Sequence, residues 1–273
     1  MTQAKLTWLP KKTFELEFSI PWEQVKKTYD KVLNELTKKA KLEGFRPGKA
    51  PQDLVEKSLD KDKLYGEVIN QLLPLSYAQA INQHHLRPAV APKITIVSAE
   101  ENQPWQFKAS SCELPEIKLG EYEKICRGAL AKEKLWTPDK KEAKPLTETQ
   151  KLNLLSKALL DEIKIELSDL LIESERDRLL SRLLDQVQKL GLTIDQYANS
   201  NNKTVDQIRQ EYRQTAANTL KLELILQTIA QEKKFKVEEK DIDKIIKAGA
   251  PSERAYISSV LKKQRAIDYL LNL

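Results

Sequence analysis

The sequence predicts an α+β fold built in two parts, an N-terminal α+β domain followed by an all-α C-terminal domain. Three observations carry that prediction. Eleven of the twelve prolines and all four tryptophans lie at or before Pro145, so composition changes near the middle of the 273 residues. Strand-like alternation of apolar residues stops at Cys112, whereas apolar residues at helical spacing run through both halves. The length suits two domains of ordinary size. The division is expected at Gly128 to Pro145, GALAKEKLWTPDKKEAKP, which mixes charge with proline and sustains neither a period of 2 nor one of 3.6.

The elements follow in order. Thr13 to Ile20 sets Phe14, Leu16, Phe18 and Ile20 against Thr13, Glu15, Glu17 and Ser19, the pattern of a half-buried strand. Pro21 suits a helix start, where a missing N–H costs nothing, and Trp22, Val25, Tyr29, Val32, Leu33, Leu36 and Ala40 then recur at helical spacing. That helix ends before Gly44 and Gly48. Pro51 restarts a helical pattern through Leu54, Val55, Leu64, Tyr65, Val68, Ile69 and Leu72, with a kink expected at Pro74 and with His84-His85 on a helix. Ile94 to Val97 and the series Trp105, Phe107, Ala109, Ser111 predict two further strands.

In the second half Ile172, Leu179, Leu183, Val187 and Leu190 form the apolar stripe of a long helix that Gly191 is suited to end. Thr193-Ile194-Asp195-Gln196 and Thr204-Val205-Asp206-Gln207 each match a capping box, so two more helices start there. The second runs through Ile208, Tyr212, Ala216, Leu220 and Ile225. Gly249 and Pro251 set off a last helix with Val260, Leu261, Ile267 and Leu270.

Several classes are excluded. Seven glycines, two cysteines and no apolar run of about 18–20 residues rule out a collagen-like chain, a disulfide mini-scaffold and an integral membrane protein. The N-terminal stretch is interrupted by polar residues and has no small-residue cleavage site, so no export signal and a reducing, cytoplasmic location are expected. Cys112 and Cys126 are far from any Cys-x-x-Cys pattern, and His84-His85, neighbours on a helix, would diverge by about 100°. No phosphate-cradling Gly-rich loop, nucleophile elbow or zinc-binding H-E-x-x-H helix occurs. Acid pairs such as Glu238-Glu239 read as solvated helix surface. No catalytic residue, metal site or cofactor is expected, and the chain does not read as an enzyme.

One segment stands out. Lys26 to Lys49 holds eight basic residues (Lys26, Lys27, Lys31, Lys38, Lys39, Lys41, Arg46, Lys49) against three acids, an excess of five where the whole chain has six. That is the electrostatic footprint of a phosphate-rich or acidic partner. Within it, Gly44-Phe45-Arg46-Pro47-Gly48-Lys49-Ala50-Pro51 places an aromatic ring and two cations between permissive glycines and stiff prolines. A Phe beside an Arg on a protruding loop has the composition of an interface anchor.

With those residues in place, GFRPGKAP behind a basic helix strongly resembles the ribosome-docking signature of the trigger factor family of bacterial chaperones. Phe14 to Trp22 resembles that family's first strand and helix start, and Leu114-Pro115-Glu116-Ile117-Lys118-Leu119-Gly120 the segment closing its ribosome-binding domain. Leu171 to Glu175, Arg182 to Leu184 and Leu190 to Leu192 resemble the start of its C-terminal helical domain. The resemblance implies a ribosome-binding domain at 1–120 and a substrate-binding domain with helical arms at 146–273. Between them, 121–145 is a linker where family members usually carry an FKBP-type prolyl isomerase domain of about 100 residues. No isomerase activity is therefore expected.

The resemblance also implies partners: the large ribosomal subunit at its exit-site protein and rRNA, unfolded nascent polypeptides, no membrane, and a second copy of the chain when free. Gly44, Phe45, Arg46, Pro47, Gly48 and Lys49 would form the docking loop, with Lys38, Lys39, Lys41 and Lys49 facing phosphates. Pro47 stands where some members have lysine, which leaves Arg46 and Lys49 to supply the charge. Tyr197, Tyr212 and Tyr256 are the candidates for exposed client contacts, whereas Leu179, Leu183 and Val187 are expected in the core. The alternatives are a ribosome- or RNA-binding module without chaperone activity and a holdase that acts away from the ribosome.

Overall fold

The computed structural model describes residues 4–40, 45–46, 51–134, 146–246 and 248–273. Two compact units divide the chain, Met1–Leu114 and Pro115–Leu273.

In the first unit β1 (Ala4–Leu9), β2 (Thr13–Ile20), β3 (Lys93–Ser98) and β4 (Trp105–Cys112) form an antiparallel sheet in the order β1-β2-β4-β3. The alternation of β2 decides which face is covered. Register pairs Ile20 with Trp105, Phe18 with Phe107 and Leu16 with Ala109, so these side chains share one face, and all are buried. Helices α1 (Trp22–Lys39) and α3 (Lys61–Gln83) supply Val25, Val32, Leu33, Leu64 and Val68 to the same core. The other face is polar, with Lys108 Nζ 2.6 Å from Glu15 Oε2.

Four local features differ from expectation. Strand β1 did not register in the sequence because its alternation is only six residues long, Leu6 and Trp8 against Lys5 and Thr7, and stops at Pro10. The second helical region breaks at Leu59–Asp60 and not at Pro74. The Asp60 side chain accepts from the Asp62 N–H at 3.1 Å and so starts α3, which runs on through Pro74. Upstream of that break lies the short α2 (Gln52–Ser58), with Pro51 at its N-cap. His84 caps the end of α3 and His85 has φ 52°, so the histidine pair forms a turn; His84 Nε2 sits 3.0 Å from the Ala4 carbonyl oxygen.

Among its described residues the second unit is helical: α4 (Tyr122–Lys134), α5 (Glu148–Glu162), α6 (Asp169–Lys189), α7 (Ile194–Ser200), α8 (Val205–Glu232), α9 (Glu239–Asp243) and α10 (Pro251–Leu271). Both expected capping boxes form, at Thr193/Gln196 and Thr204/Gln207, and a third occurs at Thr147/Gln150. Gly191, at φ 73°, ends α6: its N–H bonds the Gln188 carbonyl and the Leu192 N–H bonds that of Val187, in a left-handed turn that a side chain would strain.

The expected linker, 121–145, requires correction over its first half, because Tyr122–Lys134 is helix α4. The charged residues hide its periodicity, yet Tyr122 and Cys126, one turn apart, are both buried as α4 packs on α5. Burial pushes the Cys126 thiol up to about 11, so it is a packed, protonated group. Residues 135–145 lie outside the described residues.

Helix α4 is also tied to its neighbours by charge. Glu123 Oε1 accepts from Lys233 Nζ and from the Tyr269 hydroxyl, each at 2.6 Å. The Lys233 bond first, then the Tyr269 bond, holds the Glu123 carboxyl below its ordinary value, and the Lys233 ammonium is raised for the reciprocal reason. A depressed carboxylate contributes stability above its unfolded pKa and loses it as pH falls through the folded value. As pH falls through and below the ordinary glutamate range, Tm should therefore fall, and Glu123→Gln should flatten that fall when the two proteins are melted across an acid series.

Candidate functional site

The candidate site lies where α1 gives way to α2. Helix α1 stops at Lys39 because Ala40 turns extended (φ −66°, ψ 139°), and Pro51 starts α2. Both stems of the connection are pinned from below. The Tyr29 hydroxyl on α1 donates to Glu56 Oε1 on α2 at 2.6 Å, and the Tyr29 ring lies 5.6 Å from that of Tyr65. Tyr65 continues the series: its hydroxyl donates to Glu101 Oε1 at 2.6 Å, and its ring lies edge-on to Trp105 at 5.6 Å. Burial, then the bond to a carboxylate, raises both phenols, Tyr65 to about 12, so both remain protonated donors at any working pH. An aromatic line thus runs from the loop stems to the buried end of β4.

Between the stems, Phe45 and Arg46 are both exposed, Phe45 to 42%. The sequence expects an exposed aromatic ring in this segment, and Phe45 is not part of the core cluster of its unit. Lys41, Gly44, Pro47, Gly48 and Lys49 lie outside the described residues. The lysines of α1 sort by geometry. At about 100° per residue, Lys27, Lys31 and Lys38 fall within about 40° of one another, opposite the face carrying Val25, Tyr29, Val32 and Leu36. Lys39 points about 100° away from Lys38, toward the flank. Lys38 and Lys39 also occupy the last turn, where cations complement the helix dipole whatever else they contact. By sequence, phosphate contacts are assigned to Lys38 and Lys39, and Lys27 and Lys31 count only in the basic excess, though the 3.6-residue period aligns those two with Lys38.

The candidate client contacts separate. Tyr256, on α10, is 68% exposed. Tyr197 and Tyr212 were expected to be exposed, and here the reading needs correction: both are half-buried against the cluster Leu183, Val187, Ala198 and Ile208. Where α6, α7 and α8 meet, their apolar residues form a small core that takes in the two tyrosines. Leu183 and Val187 are buried and Leu179 is half-buried. Leu190, expected at the end of the α6 stripe, requires correction: it caps the helix and is 75% exposed, and Leu192 on the other side of Gly191, which the sequence did not single out, is exposed as well. The stripe ends at Val187 because the chain leaves the helix at Leu190 and turns left-handed at Gly191.

Among the described residues no group of three His, Cys, Asp or Glu side chains could hold a metal ion, and no helix is long and apolar enough to cross a membrane. Cys112 and Cys126 are separate buried thiols.

The family model described as bacterial trigger factor protein (TF) matches residues 2–141, and the model for the C-terminus of that protein matches residues 131–272. Similar proteins include the trigger factor of Pelotomaculum thermopropionicum, 33% identical over 123 residues, which are 45% of this chain and 28% of that protein. The trigger factor of Carboxydothermus hydrogenoformans is 37% identical over 114 residues, 42% of this chain and 27% of its own. The matched part thus spans about a quarter of the length of these curated relatives. A solved structure from a study of promiscuous substrate recognition in folding and assembly activities of the trigger factor chaperone covers 99% of both chains with a TM-score of 0.64 at 12% identity, a likeness of fold. With family matches over both halves, the chain belongs to the trigger factor family.

Proposed function

We propose that this protein is a ribosome-associated molecular chaperone of the cytoplasm. It docks beside the nascent-chain exit through GFRPGKAP and shelters unfolded nascent polypeptides among its C-terminal helices. The observation that carries the reading is the exposed Phe45–Arg46 pair, held between helix stems that the Tyr29–Glu56 bond ties together. Such an anchor brings an apolar ring and a guanidinium to an rRNA–protein surface, and the outward lysines of α1 add phosphate contacts that position without reading sequence. The second unit, with Tyr256, Leu190 and Leu192 exposed, offers scattered apolar surface to which an unfolded segment binds weakly and from which it escapes as it folds.

Prolyl isomerisation is not part of this reading, since the stretch between α4 and α5 has too few residues for a domain of about 100. A prolyl peptide should exchange between cis and trans no faster with the protein than without it. The free chain would pair with a second copy and hide its client surface there, which sedimentation at several concentrations tests.

The direct test has two arms. The full chain is co-sedimented with vacant ribosomes, and separately mixed with a chemically unfolded protein whose aggregation is followed by light scattering. Ribosome binding together with suppressed aggregation supports the reading. Ribosome binding alone leaves a ribosome- or RNA-binding module, and suppression alone leaves a holdase independent of the ribosome.

A further inference from the structure

The sheet of the first unit has two edges, and they are built differently. At β3 the register slips between Ile96 and Ser98, leaving Val97 out of the ladder, and the strand opens on Lys93 directly after Pro92. An irregular edge with a leading lysine resists pairing with another strand. At β1 the six residues Ala4–Leu9 pair with β2 in unbroken register, with neither proline nor bulge within the strand.

The direction of the β1 backbone groups follows from the hydrogen bonds around the hairpin. The Thr13 N–H donates to the Pro10 carbonyl, on the β1 side of β2, and the Glu113 N–H donates to the Lys12 carbonyl on the opposite side. Alternation along an antiparallel pair then sends the N–H and C=O of Lys5, Thr7 and Leu9 toward β2, and those of Ala4, Leu6 and Trp8 outward. The Ala4 carbonyl already meets His84 Nε2. Among the described residues nothing bonds the outward groups of Leu6 and Trp8, which leaves two donors and two acceptors in a row.

The side chains beside that row are apolar. Leu6 is half-buried at the rim of the core, and Trp8 is 49% exposed while its ring rests edge-on against Phe14 at 5.7 Å. Both project to the same face, two residues apart, so an adjoining strand would lay every second side chain across them.

We infer that the β1 edge is a strand-addition site, at which an extended segment of unfolded polypeptide adds as a fifth strand through the outward groups of Leu6 and Trp8. The chemistry selects the occupant. A row of peptide donors and acceptors is matched by another extended backbone, and it reads almost no sequence because every chain has the same backbone. The Leu6–Trp8 pair adds a preference for apolar residues at alternate positions. A folded partner would have to spend an edge of its own, whereas an unfolded chain has its backbone free. The inference rests on the chaperone reading for its occupant, and it assigns client contact to the sheet unit in addition to the helical unit.

The test uses the full chain and a short fluorescent peptide of alternating Val and Thr with a Lys at each end. Peptide binding is followed by fluorescence polarisation and residue-level amide exchange by NMR. On saturation, exchange at the Leu6 and Trp8 amides should slow at least about tenfold, while Lys5, Thr7 and Leu9, already bonded to β2, stay unchanged. Trp8→Val keeps the outward N–H and Trp8→Pro removes it, so the proline variant should bind the peptide about fivefold more weakly than the valine variant. Peptide that binds without slowing Leu6 and Trp8 overturns the edge assignment and leaves the chaperone reading standing. Failure of the peptide to bind anywhere on the chain also overturns the edge assignment, and the aggregation assay then decides the chaperone reading by itself. Protection that appears on raising protein concentration without peptide, and that saturating peptide does not displace, shows a second copy as the occupant of this edge and likewise overturns the assignment.

Discussion

Replacing Phe45 and Arg46 together by alanine is expected to weaken binding to vacant ribosomes at least about thirtyfold, the loss that follows when an anchor worth about 2 kcal/mol is truncated. The expectation rests on how the pair is presented. Phe45 has no place in the core of its own unit, so its removal leaves no cavity, and thermal unfolding should be unchanged while binding collapses. Salt separates the two kinds of contact. If about three phosphates are neutralised by the loop and by α1, each doubling of salt weakens wild-type binding about 4–6-fold. Phe45→Ala alone should lower affinity and keep that slope, whereas Lys27→Ala/Lys31→Ala/Lys38→Ala should flatten it. Co-sedimentation at two salt concentrations reads both effects. A double variant that still pellets with ribosomes at wild-type affinity would remove the loop from the docking account.

The largest expected effect on stability is at Trp105. Its side chain is 1% exposed, meets Tyr65, Trp22 and Phe107 at centroid distances of 5.6, 6.4 and 6.5 Å, and donates from Nε1 to the Glu100 carbonyl at 3.2 Å. Trp105→Ala removes the ring that several others lean on and leaves a cavity they cannot fill, at a cost of about 3–5 kcal/mol. Amide exchange across β2 should accelerate by about a hundred- to several-thousandfold, while exchange within α8, in the other unit, stays as it was. Equal acceleration in both units would mean that they unfold as one.

How far the sequence speaks for the fold depends on how long each pattern runs. Strand β2 alternates for eight residues, and α6 repeats its stripe over about four turns before a left-handed glycine, so each is legible by itself. Strand β1 and helix α4 carry too few periods. Two apolar residues against two polar ones define β1, and one buried pair, Tyr122 and Cys126, defines α4, so tertiary packing settles what local pattern leaves open. The site divides in the same way. The exposure of Phe45 is legible because an aromatic residue between Gly44 and Arg46-Pro47 has no helix or strand pattern to turn it inward. Tyr197 and Tyr212 are not, because their burial depends on a small cluster joining α6, α7 and α8 that no single segment reveals.

The aromatic line beneath the loop stems also makes the protein its own optical instrument. Tyr29 lies 5.6 Å from Tyr65 and Tyr65 lies 5.6 Å from Trp105, separations at which ultraviolet excitation of either phenol passes to the indole. Emission from Trp105 therefore gathers light absorbed across the α1–α2 seam. A rearrangement of that seam changes the tyrosine contribution to the excitation spectrum, and the event can be timed in a stopped-flow cell with no dye attached.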